Sequence, residues 1–568
     1  MIKLLKIPAF KFLAGIIIGV FISLSLVLLV IPIIGSDNIY SQIEKYQTIL
    51  SLAIKDYFEE VDIVKLNEAG IKGMLSGLDP HSTYISAKDM KKVNESMTGS
   101  FEGIGIQYNI INDTIVIEGV IPDGPSEKVG IQPRDRIIAA DSNSLVGIPE
   151  DSVPKILKGP KGTVVNLSIH RPGNKGLLAF RIVRDKIPLN SISASFVIEG
   201  TDIGYIKIEQ YVGTTHRELV DSSKRLREQG MKRLILDLRN NGGGMLDQAY
   251  KVCDEFLASD TIVYTKGRRI SENKEFVARP GPTLEDIPLI VLINMWSASA
   301  SEITAGAMQD LDRGLVVGTT SFGKGLVQSQ MPLKDGSALR LTTARFYTAS
   351  GRFIQRPYID KEAWKRLTDR LELEEGSNLE HTLDKIRKEE EAKDKKDSKK
   401  KKLKDDKTID MDSIEIYYTR SGRPVLGGGG ITPDYVIKND TTKLTDFATK
   451  LSFQGVFIEA KEKFISETQK KYGDDFTRFN KEFVFTKDML KELKRLANER
   501  DIEWNDEQYE TDKEWIENII MKQWIARSVW DSNTAYQISI QKDRQVTKAM
   551  ELFPLAEKIF NSSKNKKN

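Results

Sequence analysis

Two short runs constrain this fold most. Arg233-Leu-Ile-Leu-Asp-Leu238 and Leu289-Ile-Val-Leu-Ile-Asn294 are apolar runs of strand length, and the first has the pattern of a strand covered on both faces. The first runs into Arg239-Asn-Asn-Gly-Gly-Gly244 and the second into Trp296-Ser-Ala-Ser-Ala-Ser-Glu302. A helical pattern follows each: Leu246 to Leu257, and then one with Ile303, Ala307, Met308 and Leu311 on one face. Ile203-Gly-Tyr-Ile-Lys-Ile208 precedes an amphipathic helix from Thr215 to Gly230, and Leu315-Val-Val-Gly318 is a further strand. Strands alternating with helices predict a largely parallel sheet whose sites gather at the carboxyl ends of the strands. Both small-residue segments lie at such ends.

The serine cluster admits two readings. A hydroxyl at a strand-to-helix turn sits near the positive end of a helix dipole with backbone N–H groups beside it, which suits a nucleophile. Ser299-Ala-Ser-Glu302 also has the S/T-x-x-E spacing of a capping box, which needs no chemistry. The glycine run at 242–244 has neither G-x-G-x-x-G nor G-x-x-x-x-G-K-[ST], so a phosphate loop is poorly supported. A glycine turn exposing N–H groups suits an oxyanion equally well.

Composition removes several classes of function. With 568 residues, 40% hydrophobic and 29% charged, the chain holds several ordinary globular domains. The net charge of +3 gives no reason to expect nucleic acid. The single cysteine, Cys253, excludes an internal disulfide or a Cys-rich metal site, and it reads as a packing residue in a helix. The four histidines, His81, His170, His216 and His381, fall in no H-E-x-x-H pattern, so neither a metal nor another cofactor is expected. His81, in the turn Gly77 to Tyr84, reads as a loop or packing residue.

The chain opens with Lys3, Lys6 and Lys11, followed from Phe12 to Ile34 by 23 uncharged residues. That run can span ~30 Å of hydrocarbon at ~1.5 Å per residue. Ile33-Ile-Gly-Ser36 is a poor cleavage site, so residues 1–35 read as a cytoplasmic tip and an uncleaved transmembrane anchor. The lysines orient it so that the rest of the chain is extracytoplasmic, in the periplasm if the organism has one. Residues 36–95 have helical periodicity and 96–185 that of strands. Residues 186–358 are the α/β core, and 359–412 are a charged insertion of Lys, Glu and Asp. Residues 413–440 return to the core, and 441–568 form a helical domain with Trp504, Trp515, Trp524 and Trp530 as packing residues.

Phe101-Glu-Gly-Ile-Gly-Ile106 begins a succession of strands and short helices that resembles a PDZ domain of the bacterial protease type. By that resemblance, Gly103, Ile104, Gly105 and Ile106 receive the C-terminal carboxylate of a peptide added as a strand. Further motifs widen the likeness. Ser-Ala-Ser-Ala-Ser-Glu, Asp-Leu-Arg-x-Asn-x-Gly-Gly and Phe-Gly-Lys-Gly-x-Val-Gln together make residues 38 to about 440 similar to the C-terminal processing peptidases, also called tail-specific proteases. The resemblance implies a multidomain α/β protein with a crotonase-like protease core. Ser299 would be the nucleophile, Lys324 the general base and Gln328 the residue that orients the lysine. Backbone N–H groups of Ala300 and the Gly243 region would form the oxyanion hole. Implied partners are protein or peptide substrates with apolar C-termini, and an adaptor protein or a homo-oligomer.

The chemistry stands without the family. A serine hydroxyl needs a base to become a nucleophile, and lysine serves only when neutral, with a pKa brought from ~10.4 toward ~7–8. Burial away from carboxylates would do this, and the neighbours of Lys324 in sequence are Phe322, Gly323, Leu326 and Val327, with no acid among them. Two other readings remain open: a crotonase-type acyl-CoA enzyme, and a catalytically inactive peptide-binding scaffold.

Overall fold

The computed structural model describes residues 38–356, 375–376, 384, 415–438 and 444–565. The anchor expected at 12–34 and nearly all of the charged insertion lie outside these residues. Among the described residues, no helix is long and apolar enough to cross a membrane. The chain divides into two units, residues 1–87 with 329–342, and residues 88–328 with 343–568.

In the first unit, helix α1 (Ile39–Asp56) is capped by Asn38, whose side chain accepts the Tyr40 N–H, and α2 (Ile63–Ser76) is capped by Asp62 through Lys65 N–H. The turn that follows is built on Asp79, whose carboxylate accepts the backbone N–H groups of His81 and Ser82 at 2.8 and 2.9 Å. His81 thus belongs to a turn held by its neighbour. Strand β1 (Thr83–Ile85) leaves it and pairs antiparallel with Ala338 to Arg340.

The second unit begins within α3 (Ala87–Thr98), at Lys88. Strand β2 (Ser100–Gly103) leads into an antiparallel sheet of β3 (Ile106–Ile111), β4 (Thr114–Val120), β5 (Arg136–Ala140), β6 (Val164–His170) and β7 (Leu177–Val183), in that spatial order. A short helix, α4 (Val153–Leu157), lies between β5 and β6 in sequence, and its Val153 and Leu157 join the buried core of Ile115, Ile117, Ile137, Val165 and Ile169. The chain leaves through β8 (Asp185–Pro188), which pairs antiparallel with β2, so entry and exit of this domain form one two-stranded ribbon.

The α/β core follows. Its six-stranded sheet runs β9 (Ile192–Val197), β10 (Ile203–Ile208), β11 (Arg233–Asp237), β12 (Leu289–Ile293), β13 (Leu315–Gly318) and β14 (Tyr435–Val436), parallel from β10 onward. The two-residue strand period sends Leu234, Leu236, Val291 and Ile293 to one face. There they meet helices α5 (Thr215–Glu228), α6 (Leu246–Asp254) and α7 (Ala300–Asp310) through Leu219, Leu226, Val252 and Ile303. Cys253 is fully buried in this layer, which pushes its thiol pKa up to about 12.

Ile235, Ile290, Leu292, Leu315 and Val317 point to the other face, covered by Val546, Ala549 and Phe553. The sheet is therefore buried on both sides, and the second cover comes from the end of the chain. Residues 544–565 belong structurally to the core and not to a separate C-terminal domain. The remaining C-terminal helices have their own core, with Phe457, Phe479, Leu493 and Ile525 buried and Trp504, Trp515, Trp524 and Trp530 packed against it.

Candidate active site

Three loops meet at the carboxyl ends of β11, β12 and β13. The first is the turn after β11. Asn241, fully buried, donates through Nδ2 to the Ile208 carbonyl at 2.8 Å, and its Oδ1 accepts the Gly243 N–H at 2.9 Å. Its carbonyl accepts the Ala298 N–H at 3.0 Å and the Ser301 hydroxyl at 2.9 Å. One asparagine thus ties the glycine turn to the serine loop. Gly243 has φ +99, and a Cβ there would lie 2.7–2.9 Å from Ala298 O, Ser299 Cβ and Ala300 N. Only glycine permits this approach.

In the second loop the three serines separate by environment. Ser297 and Ser301 are fully buried, and their hydroxyls donate to the carbonyls of Leu238 (2.8 Å) and Asn241 (2.9 Å). Both are structural pins. Ser299 between them is half-buried, with φ 55 and ψ −110, a backbone conformation that a non-glycine residue adopts at a cost of about 1–3 kcal/mol. It stands at the N-terminus of α7, where the first N–H groups, including that of Ala300, have no acceptor within their own helix. Of the two amides expected to bind an oxyanion, Gly243 N–H is already held by Asn241, while Gly243 itself packs against Ala300 N.

The third loop carries Ser321 to Gly325. It is joined to the second by Glu302, which is fully buried. Glu302 Oε2 accepts the N–H groups of Ser299 and Lys324, both at 2.8 Å, and Oε1 accepts the Ser321 hydroxyl at 2.5 Å and Gly323 N–H at 2.6 Å. One carboxylate therefore holds the backbones of Ser299 and Lys324 together. The expectation that Lys324 has no acid nearby is corrected here. Glu302 is 22 residues away in sequence, and only the fold brings it to the lysine's backbone.

Burial pushes the Glu302 pKa upward, and its hydrogen bonds oppose that rise. All four partners are donors, because Ser321 Oγ accepts the Ile431 N–H and gives its own proton to Glu302. A proton on Glu302 would face donors only, so the ionised form fits the site. Its charge is shared by the four donors, and Arg356, whose pKa burial lowers, supplies a positive field toward it.

Lys324 and Gln328 are both half-buried, the latter donating through Nε2 to the Leu326 carbonyl at 3.3 Å. Met295, Trp296 and Phe322, on the same two loops, are exposed by 51%, 58% and 37% and give the site an apolar lip. Motif reading set Trp296 and Phe322 beside the candidate serine and lysine, but gave neither them nor Met295 a place at the substrate surface. Their signal was the presence of large apolar residues in polar loops. In the earlier domain, Gly103 ends β2, Gly105 has φ +76 and Ile106 opens β3. The Ile104 carbonyl accepts the Ser126 N–H and hydroxyl, which fixes the shape of the glycine loop.

A strained serine at a strand-to-helix elbow, a lysine whose backbone N–H shares the serine's carboxylate acceptor, and a PDZ-like β domain in the same chain fit a PDZ-bearing serine peptidase. The comparisons with known proteins agree. Residues 202–363 match the model for peptidase family S41, 92–170 that for the PDZ domain, and 447–531 that for a family of unknown function (DUF8443). A carboxy-terminal-processing protease of Bartonella bacilliformis is 40% identical over 343 residues, covering 59% of this chain and 78% of the relative. The carboxy-terminal processing protease CtpB of Bacillus subtilis is 35% identical, covering 57% of this chain and 67% of its own. A solved structure of a photosystem II D1 C-terminal processing protease is 26% identical, with a TM-score of 0.31, over 53% of this chain and 81% of that one. The chain belongs to the carboxy-terminal-processing protease family and is a serine peptidase.

Proposed function

We propose that this protein is a membrane-anchored, extracytoplasmic endopeptidase that captures C-terminal tails on its PDZ domain and cleaves peptide bonds with a Ser299–Lys324 dyad. The observation that carries the proposal is the Glu302 bridge. It fixes the backbone of Ser299, whose hydroxyl is not tied to a loop carbonyl as those of Ser297 and Ser301 are, to that of the lysine.

In this mechanism neutral Lys324 Nζ takes the Ser299 hydroxyl proton as Oγ attacks the scissile carbonyl carbon. Ala300 N–H, at the helix N-terminus, stabilises the oxyanion. Collapse breaks the C–N bond, the lysine returns its proton to the departing amine, and water hydrolyses the Ser299 ester by the reverse sequence. Gln328 holds the lysine without adding charge. Met295, Trp296 and Phe322 give apolar substrate side chains a surface to rest on.

Tail recognition has a direct test. Two peptides of one sequence, ending in a free carboxylate or an amide, should differ in KM by about tenfold or more in favour of the carboxylate. Equal KM and kcat for both would remove the PDZ domain from substrate selection. Anchoring is supported by the uncharged run from Phe12 to Ile34 and the lysines before it. The full-length protein should pellet with membranes in alkaline carbonate and be digested by protease added outside intact spheroplasts. Release into the carbonate supernatant would rule out the anchor.

A further inference from the structure

The DUF8443-like helical region makes a set of polar contacts to the PDZ domain that packing alone does not require. Lys461, between helices α8 (Val456–Ala460) and α9 (Glu462–Tyr472), is fully buried. Its Nζ donates to Glu118 Oε1 on β4 at 2.5 Å and to Ser528 Oγ at 2.8 Å, and lies 5.2 Å from the Trp524 ring centre. Beside it, Arg134 pairs with Glu462 at 3.8 Å and donates to Ser466. Asn112, in the β3–β4 turn, donates to Glu459 at 3.2 Å. Leaving a buried lysine unpaired is strongly unfavourable, so such an ion pair specifies one arrangement.

The same contacts lie where a captured substrate would leave the PDZ domain. Strand β3 is the end strand of its sheet, pairing only with β4 among the described residues. A peptide whose carboxylate sits at Gly103–Gly105, where β3 begins, must run its upstream residues toward Ile111 and Asn112. There the Asn112–Glu459 contact meets it.

We propose that the helical domain is a dock that sets the orientation of the PDZ domain through the Lys461–Glu118 latch, so that the chain upstream of a captured C-terminus is laid past Glu459 toward cleavage. This inference rests on the tail-capture reading above. It gives the helical domain a positioning role for substrate that carries no chemistry of its own.

The test uses the full chain with Glu118→Gln, which leaves Lys461 unpaired, and with Arg134→Ala at the more exposed rim, where misfolding is not expected. Hydrogen exchange of β4 and of residues 456–466 should accelerate in both variants, a readout that does not require proteolysis. The kcat/KM for the free-carboxylate peptide should fall about tenfold, an ordinary coupling between sites, while that for the amidated peptide stays unchanged. Peptide affinity, measured by anisotropy on a Ser299→Ala background, should stay within about twofold. Reversal of the pair, Glu118→Lys with Lys461→Glu, should restore part of the loss. Unchanged exchange, an equal fall for both peptides, or weakened binding that accounts for the loss would each overturn the proposal. A wild-type chain that cleaves neither peptide would overturn the protease reading, and the exchange data would still decide the latch.

Discussion

Replacing Ser299 or Lys324 is expected to abolish peptide cleavage. Ser299→Ala should lower kcat by at least ~10⁴-fold, as loss of a covalent nucleophile does in serine peptidases, and Lys324→Ala should cost about as much. The double variant should lie within a factor of about three of either single one, because the two groups act in one proton transfer and their losses do not add. Lys324→Arg is the sharper probe. It keeps a long cationic side chain, but a guanidinium does not give up a proton in proteins and cannot serve as the base, so this variant should be as inactive as Lys324→Ala. The buried neighbours supply the control. Ser297→Ala removes the hydroxyl's 2.8 Å bond to Leu238 and should lower stability more than turnover. Initial rates on an unstructured peptide, with intact-mass detection of the Ser299 acyl-enzyme, measure both outcomes. Full activity in Ser299→Ala, or substantial activity in Lys324→Arg, would end the dyad assignment.

How far the sequence foretold this depends on the range of each interaction. A strand covered on both faces was legible at 233–238 and a strand at 289–294, because burial leaves an apolar run whatever the partners are. The glycine turn and the serine elbow were legible as motifs, since each condenses its steric demand into a few neighbouring residues. Gly243 is the clearest case: the requirement for glycine comes from the close approach of Ala298 and Ala300. What covers the second face of the sheet was not legible. The helices of residues 544–565 carry an amphipathic pattern that says they bury a face, but no local pattern names as the partner a sheet whose strands lie between residues 192 and 436. Glu302 was read as half of a capping box, and it does accept the Ser299 N–H. Its other oxygen, and its bonds to Ser321, Gly323 and Lys324, come from tertiary structure alone. The expectation of an acid-free lysine failed for the same reason, since it searched neighbours along the chain for a contact made across it.

Glu302 is therefore where the second large effect is expected, and two substitutions separate its structural from its electrostatic part. Glu302→Ala leaves three backbone N–H groups and the Ser321 hydroxyl without their acceptor in a fully buried site. At ~1 kcal/mol or more for each unsatisfied donor, the loss is at least ~4 kcal/mol, a large fraction of the ~5–15 kcal/mol that holds a typical domain together. This variant should lose much of its cooperative unfolding transition. Glu302→Gln keeps the volume and one acceptor oxygen but turns an NH₂ group toward two donors, either the N–H groups of Ser299 and Lys324 or the Ser321 hydroxyl and the Gly323 N–H. It should fold with reduced stability and lose ~10²–10³-fold in kcat, the scale of misplaced reacting groups, with KM nearly unchanged. The pH profile carries the decisive sign. The Glu302 carboxylate accepts the Lys324 N–H, and removing a negative charge from that position disfavours a cation nearby. The acidic limb of kcat/KM in Glu302→Gln should then move to lower pH even as the maximum falls. A drop in rate with the limb unmoved would mean that no Glu302 charge acts on the base and would reduce the residue to a cap, and a limb moving upward would overturn the electrostatic role altogether.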